Sequence, residues 1–132
     1  MAGISRTDLV RRVEDYFRDV DRFDTQAILA HLTDDCVLEV VNHDSAHQGT
    51  EAIRATYEQR AKAVRRSWHG DFLHTVDEEA LRVATRLTVR RIDMDGTPVE
   101  AHNLTLFQLD GSRIRRISIW MSGANTLAGQ SQ

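Results

Sequence analysis

The chain has 132 residues, 41% of them apolar and 28% charged, which suits one domain with a real core and is ordinary for a soluble globular protein. Its net charge is −3 and its arginines are scattered, which excludes a strongly basic nucleic-acid binder. A lone cysteine, Cys36, excludes an intrachain disulfide, and no segment approaches 18 apolar residues. With no apolar signal core at the N-terminus, the expectation is a cytoplasmic protein of a single domain over 1–132.

Residues 5–22 have the pattern of a helix. Ser5 and Asp8 form a capping-box pair, and Leu9, Val13, Tyr16, Phe17 and Val20 fall on one face. Asp24 is placed to cap a short second helix carrying Ile28, Leu29 and Leu32, and Asp34-Asp35 ends that pattern. Cys36–Val41 is β-rich and predicts the first strand, and Asn42–Gly49 predicts a polar loop. Thr50 opens a third helix with Glu51 near its positive end, and Ile53, Tyr57, Ala61, Val64 and Trp68 continue one face. After Gly70 the texture becomes that of strands: Phe72–Val76, Leu81–Ile92, Val99–Leu109 and Ile114–Met121. The last two are joined by Asp110-Gly111, a strong hairpin signal because the turn needs a positive φ that glycine accepts. The final few residues are expected to fray. Three N-terminal helices followed by meandering strands define an α+β domain, with the helices covering one face of a curved, mainly antiparallel sheet.

This order of elements resembles the cone-shaped α+β fold shared by nuclear transport factor two, ketosteroid isomerases, scytalone dehydratases and polyketide cyclases (the SnoaL-like group). Tyr16-Phe17, Asp24, Ile28 to Leu32, Asp34-Asp35 and Gly49 to Arg54 resemble the first half of the ketosteroid-isomerase-like group. Phe107 to Gly111 and Ile114 to Asn125 resemble its final hairpin, and Asn103-Leu104 to Phe107 with Met121 is similar to the phenazine biosynthesis A/B proteins. The resemblance implies that Tyr16 is an oxyanion-hole tyrosine and Tyr57 a supporting pocket tyrosine. The isomerases' general-base aspartate falls at Val40, their second oxyanion acid at Thr105, and the last-strand carboxylate of other relatives at Ile119. All three carboxylates are therefore missing. Relatives also dimerise through the outer sheet face, which here carries His102, Leu104, Leu106, Ser118 and Trp120, and the resemblance implies a homodimer.

Strand alternation turns Val40 and Asn42, then Ala101, Asn103, Thr105 and Phe107, then Ile117, Ile119 and Met121 toward the helices. With Tyr57 and Trp68 these residues predict the wall of a largely apolar pocket. Tyr16 can donate to an oxyanion or bond a backbone carbonyl as a core aromatic. His69 or His74 can replace the missing base, since histidine titrates near neutral pH; otherwise they are a loop and a strand-edge residue. His69, following Trp68 at the pocket mouth, is the stronger of the two. Asn103 is an amide on an apolar face and either binds ligand or pairs with another side chain. His43-Asp44-Ser45-Ala46-His47 has two imidazoles, but without a helix their spacing gives no shared face, so no metal is expected. Cys36, beside Asp34-Asp35, fits a buried structural thiol rather than a nucleophile.

These features predict an enzyme acting on an apolar cyclic or polyketide-like metabolite by cofactor-independent proton transfer: an isomerase, cyclase or dehydratase. Tyr16 and Asn103 would hold the developing oxyanion while His69 or His74 moves the proton. No flavin or nicotinamide motif is present, so no cofactor is expected. The alternatives are a non-catalytic small-ligand-binding protein of the same fold and a protein-interaction module.

Overall fold

The computed structural model describes residues 3–129, so the expectation of fraying falls partly outside the described residues. Helix α1 spans Arg6–Asp21 and starts at the expected capping box, with Asp8 N–H donating to Ser5 Oγ (3.2 Å) and Ser5 N–H to Asp8 Oδ2 (3.4 Å). Its Leu9, Val13, Tyr16, Phe17 and Val20 are buried as one stripe. Helix α2, Thr25–Ala30, is capped by Asp24, whose Oδ1 accepts from Ala27 N–H at 3.1 Å. Strand β1 (Leu32–Val40) follows, then a 3-10 turn (Val41–His43), β2 (Ser45–Gln48), helix α3 (Thr50–Ala63) and strands β3 (Val64–Asp77), β4 (Arg82–Asp93), β5 (Pro98–Asp110) and β6 (Arg113–Met121).

The result is an α+β fold with three helices on a six-stranded sheet of order β2-β1-β6-β5-β4-β3. Every neighbouring pair is antiparallel except β1–β6, which is parallel. Only two helices precede the first strand; α3 enters after the β1–β2 hairpin. One apolar core lies between helices and sheet, built on Leu9, Tyr16, Ile28, Leu38, Ile53, Leu87, Phe107 and Ile117. Gly111 takes the expected positive φ (61°) in the β5–β6 turn.

Two boundaries depart from the sequence pattern. The Asn42–Gly49 segment is not simply a polar loop, because Ser45–Gln48 pairs with β1 as a short edge strand. The third helix stops at Ala63 and does not reach Trp68. Val64 already has extended dihedrals and pairs with Asp93 of β4, so sheet pairing overrides a helical spacing that continues in the sequence. Trp68 and His69 are therefore strand residues.

Strand β3 also contains the irregularity that shapes the interior. Between Gly70 and Leu73 it advances three residues while β4 advances two, from Thr88 to Arg86. The extra residue is a bulge, and Asp71 within it has φ 52°. Strict alternation would place His69 and His74 on opposite faces, because they are five positions apart. The bulge reverses the parity, so Ser67 and His69 before it and Phe72 and His74 after it all face α1. Before the bulge, the Trp68 ring turns outward and lies across Gly70, where an added Cβ would sit 2.1 Å from the ring.

Candidate active site

Asp21, the last residue of α1, is the centre of the site. Its Oδ1 accepts from His69 Nδ1–H (2.5 Å) and from Ser67 Oγ–H (2.7 Å), and its Oδ2 accepts from His69 N–H (2.8 Å). Ser67 Oγ in turn accepts from Arg60 Nη2–H at 2.9 Å. Burial opposes ionisation of Asp21, but the bonds from His69 and Ser67 and the His69 charge outweigh it and hold the carboxyl below its ordinary range. Burial lowers the His69 pKa, the Asp21 bond and charge oppose that, and the net direction is downward. At neutral pH the ring is thus an uncharged imidazole. Its proton is fixed on Nδ1 by the carboxylate, and Nε2 carries the lone pair. Nε2 has no hydrogen-bond partner among the described residues, and the ring lines the adjoining cavity.

That cavity has about 40 Å³ of room, enough for a few waters at roughly 10–15 Å³ each. One side is Tyr16, Phe17, Val20, Tyr57 and Arg60 from α1 and α3. The other is His69, Leu87, Val89, Arg91, Ala101, Asn103, Thr105, Ile119 and Met121 from the sheet. Gly123, Ala124 and Thr126 of the tail after β6 close it. The tail is tied down by His43 and His47, whose Nε2 atoms bond the carbonyls of Gly123 (3.0 Å) and Leu127 (2.8 Å). The two imidazoles of the 43–47 segment thus hold the backbone of the tail.

The Tyr16 and Tyr57 hydroxyls are hydrogen-bonded to each other. Burial pushes the Tyr16 phenol well above its ordinary value, and Tyr57 rises to about 12 for the same reason. Both stay protonated, and the mutual bond uses one of their two protons, leaving one O–H to donate elsewhere. Asn103 accepts from Ser122 N–H at 3.4 Å through Oδ1, which leaves its NH₂ free among the described residues. Arg91 donates to Asp93 at 2.8 Å.

Of the residues expected to form the site, His69, Tyr16, Tyr57, Asn103, Thr105, Ile119 and Met121 meet around this cavity. Others do not. His74 lies farther along the sheet, bonded to Glu14 (2.7 Å) and to buried Thr85 (2.8 Å) at the far end of a stacked column His69–Phe17–Phe72–His74. Val40, Phe107 and Ile117 face inward but are packed into solid core. Asn42 is not an inward pocket residue: its amide clamps the Met121 backbone, donating to the carbonyl (2.7 Å) and accepting from the N–H (3.0 Å). Trp68 faces away from the cavity, with Arg90 stacked 4.7 Å from its ring centroid, and lines a separate outer groove of about 760 Å³ that reaches Asp21. Ser118, placed on the outer face, is covered there by Glu39, to which it donates at 2.6 Å. Cys36 is buried beside Asp35, and burial foremost pushes its thiol to about 12.

Asp21, Ser67, Arg60 and Arg91 were not anticipated. Asp21 continues the α1 stripe at Glu14, Phe17 and Asp21, and Arg60 continues Ile53 and Tyr57 on α3. Arg91 shares the inward parity of Leu87 and Val89 on β4. A charge that keeps step with a buried stripe was the available signal.

A three-helix, six-stranded α+β domain folded around an interior cavity is the architecture of the nuclear transport factor two-like superfamily. The chain belongs to the SnoaL-like domain family, whose model matches residues 13–117. Its fold is similar to PrhC from Penicillium brasilianum (TM-score 0.80, 19% identity, covering 89% of this chain and 82% of that one). It is also similar to the BvnE pinacolase of Penicillium brevicompactum (TM-score 0.79, 14% identity, 89% and 87% covered). An epoxide hydrolase of M. tuberculosis resembling the LEH type gives a TM-score of 0.75 at 22% identity, with 88% and 84% covered. No curated protein sequence matches the chain.

Proposed function

We propose that the protein is a small-molecule enzyme that catalyses cofactor-independent proton transfer, as an isomerase, cyclase or dehydratase. The observation that carries this reading is the Asp21–His69 pair, whose imidazole lines the same cavity as the two hydrogen-bonded tyrosines. Asp21 fixes the tautomer and stabilises the imidazolium that forms when Nε2 takes a proton from carbon. The free O–H of the Tyr16–Tyr57 pair and the Asn103 amide donate to the oxygen on which charge develops. The aliphatic wall of Leu87, Val89, Ile119 and Met121 excludes water. The named relatives of this fold include a pinacolase and an epoxide hydrolase, which supports small-molecule chemistry in general.

The test is deuterium exchange from solvent into small cyclic ketones and β-dicarbonyl compounds, followed by NMR. The native protein accelerates exchange in at least one compound, His69→Gln lowers that rate by about 10²-fold or more, and Tyr16→Phe lowers it less. If His69→Gln keeps the full rate, the mechanism is wrong. The small size of the cavity favours a second reading, a non-catalytic binder of the same fold. Saturable binding without exchange in any compound would support that reading instead.

A further inference from the structure

Arg60 is buried, at 4% exposure, and it lines the cavity. Arg91 is answered by Asp93, whereas Asp21, bonded to a neutral His69, reaches Arg60 only through the Ser67 hydroxyl. Among the described residues Arg60 has no carboxylate in ion-pair contact. Its Nη2 donates to the Ser67 hydroxyl, and one guanidinium face lies over the Phe23 ring at 5.8 Å. A guanidinium has five N–H donors in a planar fork. The Ser67 bond uses one Nη2 proton; the other still forms a two-donor edge with Nε–H or Nη1–H, and Arg60 lines both the cavity and an outer groove beside Asp93. A desolvated cation presenting an unfilled bidentate edge is a receptor for a planar anion.

We infer that the cavity binds a small carboxylate, held edge-on by Arg60, with the rest of the molecule against the aliphatic wall and within reach of His69 Nε2. This rests on the proton-transfer reading above and narrows its substrate to a carboxylic acid anion, in place of a wholly apolar metabolite. A phosphate dianion fits less well. Arg60 stands in the last turn of α3, at the helix's negative end, and Asp21 is one hydroxyl away. A monoanion is therefore tolerated better than a second negative charge.

The test is a titration of methyl-labelled protein, following the Ala101, Ile119 and Met121 methyls and the His69 ring by NMR. The probes are acetate, pyruvate and benzoate, each against its amide, with chloride and inorganic phosphate as further arms. At least one carboxylate shifts these signals saturably and its amide does not. Arg60→Met weakens binding at least tenfold, and Arg60→Lys, which keeps the charge but not the fork, weakens it less. Arg65→Met, on the outer surface, changes nothing. The inference is overturned if no carboxylate shifts the signals, if amides bind equally, if chloride or phosphate competes on equal terms, or if a folded Arg60→Met variant binds as the native protein does. If Arg60→Met does not fold, Arg60→Lys and the acid–amide comparison in native protein decide. The two readings fail separately: absence of carboxylate binding overturns this inference, whereas saturable carboxylate binding with no solvent deuterium exchange into the bound acid overturns only the proton-transfer reading.

Discussion

Asp21 acts on His69 in two opposed ways, by raising its affinity for protons and by fixing which nitrogen holds one. Removing the carboxylate leaves burial and the Arg60 charge, both of which push the imidazole pKa down. Asp21→Asn therefore moves the acid limb of the rate profile to lower pH, and it cuts the plateau rate by about 10²-fold or more because the tautomer is no longer fixed. A pH–rate series on the exchange reaction measures both. Stability follows the same groups. The folded His69 pKa lies below the usual value of about 6.5, so as pH falls past that point the unfolded chain takes up a proton before the native one does. Stability then declines until the folded pKa is passed. Asp21 contributes stability that is present above its unfolded pKa and is lost as pH falls through its lower folded value. Urea midpoints measured across this range decline less steeply just below pH ~6.5 in His69→Gln than in the native protein.

Strand β3 shows what sequence pattern can and cannot reveal. Alternation gave the correct face for Val40, Phe107 and Ile117, as it did for Thr105, Ile119 and Met121. It could not tell which of them would border empty space, since that depends on how large neighbours from other elements fill the interior. Asn42 broke the rule because the first strand ends at Val40 and the chain turns there. The bulge was illegible because its cause is pairing with β4. Only that extra residue turns His69 and His74 to one side. The Asp21 partner was harder still, since 48 positions separate it from His69. The packing of Trp68 over Gly70 belongs to the same stretch of strand. Gly70→Ala forces the ring away and costs about 1–3 kcal/mol. Most of that cost disappears in a Trp68→Ala background, so a double-mutant cycle in urea gives a coupling energy of about 1 kcal/mol or more. If Gly70→Ala costs the same in both backgrounds, the ring is not what requires the glycine.

Across the whole molecule, the fold class and the tyrosine-lined interior were legible because helix stripes and strand parity are local properties. Assembly state is not. Leu104 and Trp120 are directly paired across β5 and β6 and stand 46% and 37% exposed on the outer sheet face. We propose that this face joins two copies of the chain. Sedimentation analysis at micromolar concentration gives a dimer, and Trp120→Glu with Leu104→Glu gives a folded monomer. A native monomer at those concentrations refutes the proposal. The parallel pairing of β1 with β6 has a consequence in time. Val37 meets Arg116, and the only other neighbour of β1 is the four-residue β2. During synthesis the first strand must wait, with its long edge open, until almost the whole domain has been made. The cavity's floor strand, β6, and the tail that closes it arrive last of all. Any nascent or truncated chain ending before Arg113 carries both members of the His–Asp pair but has no vessel in which to use them.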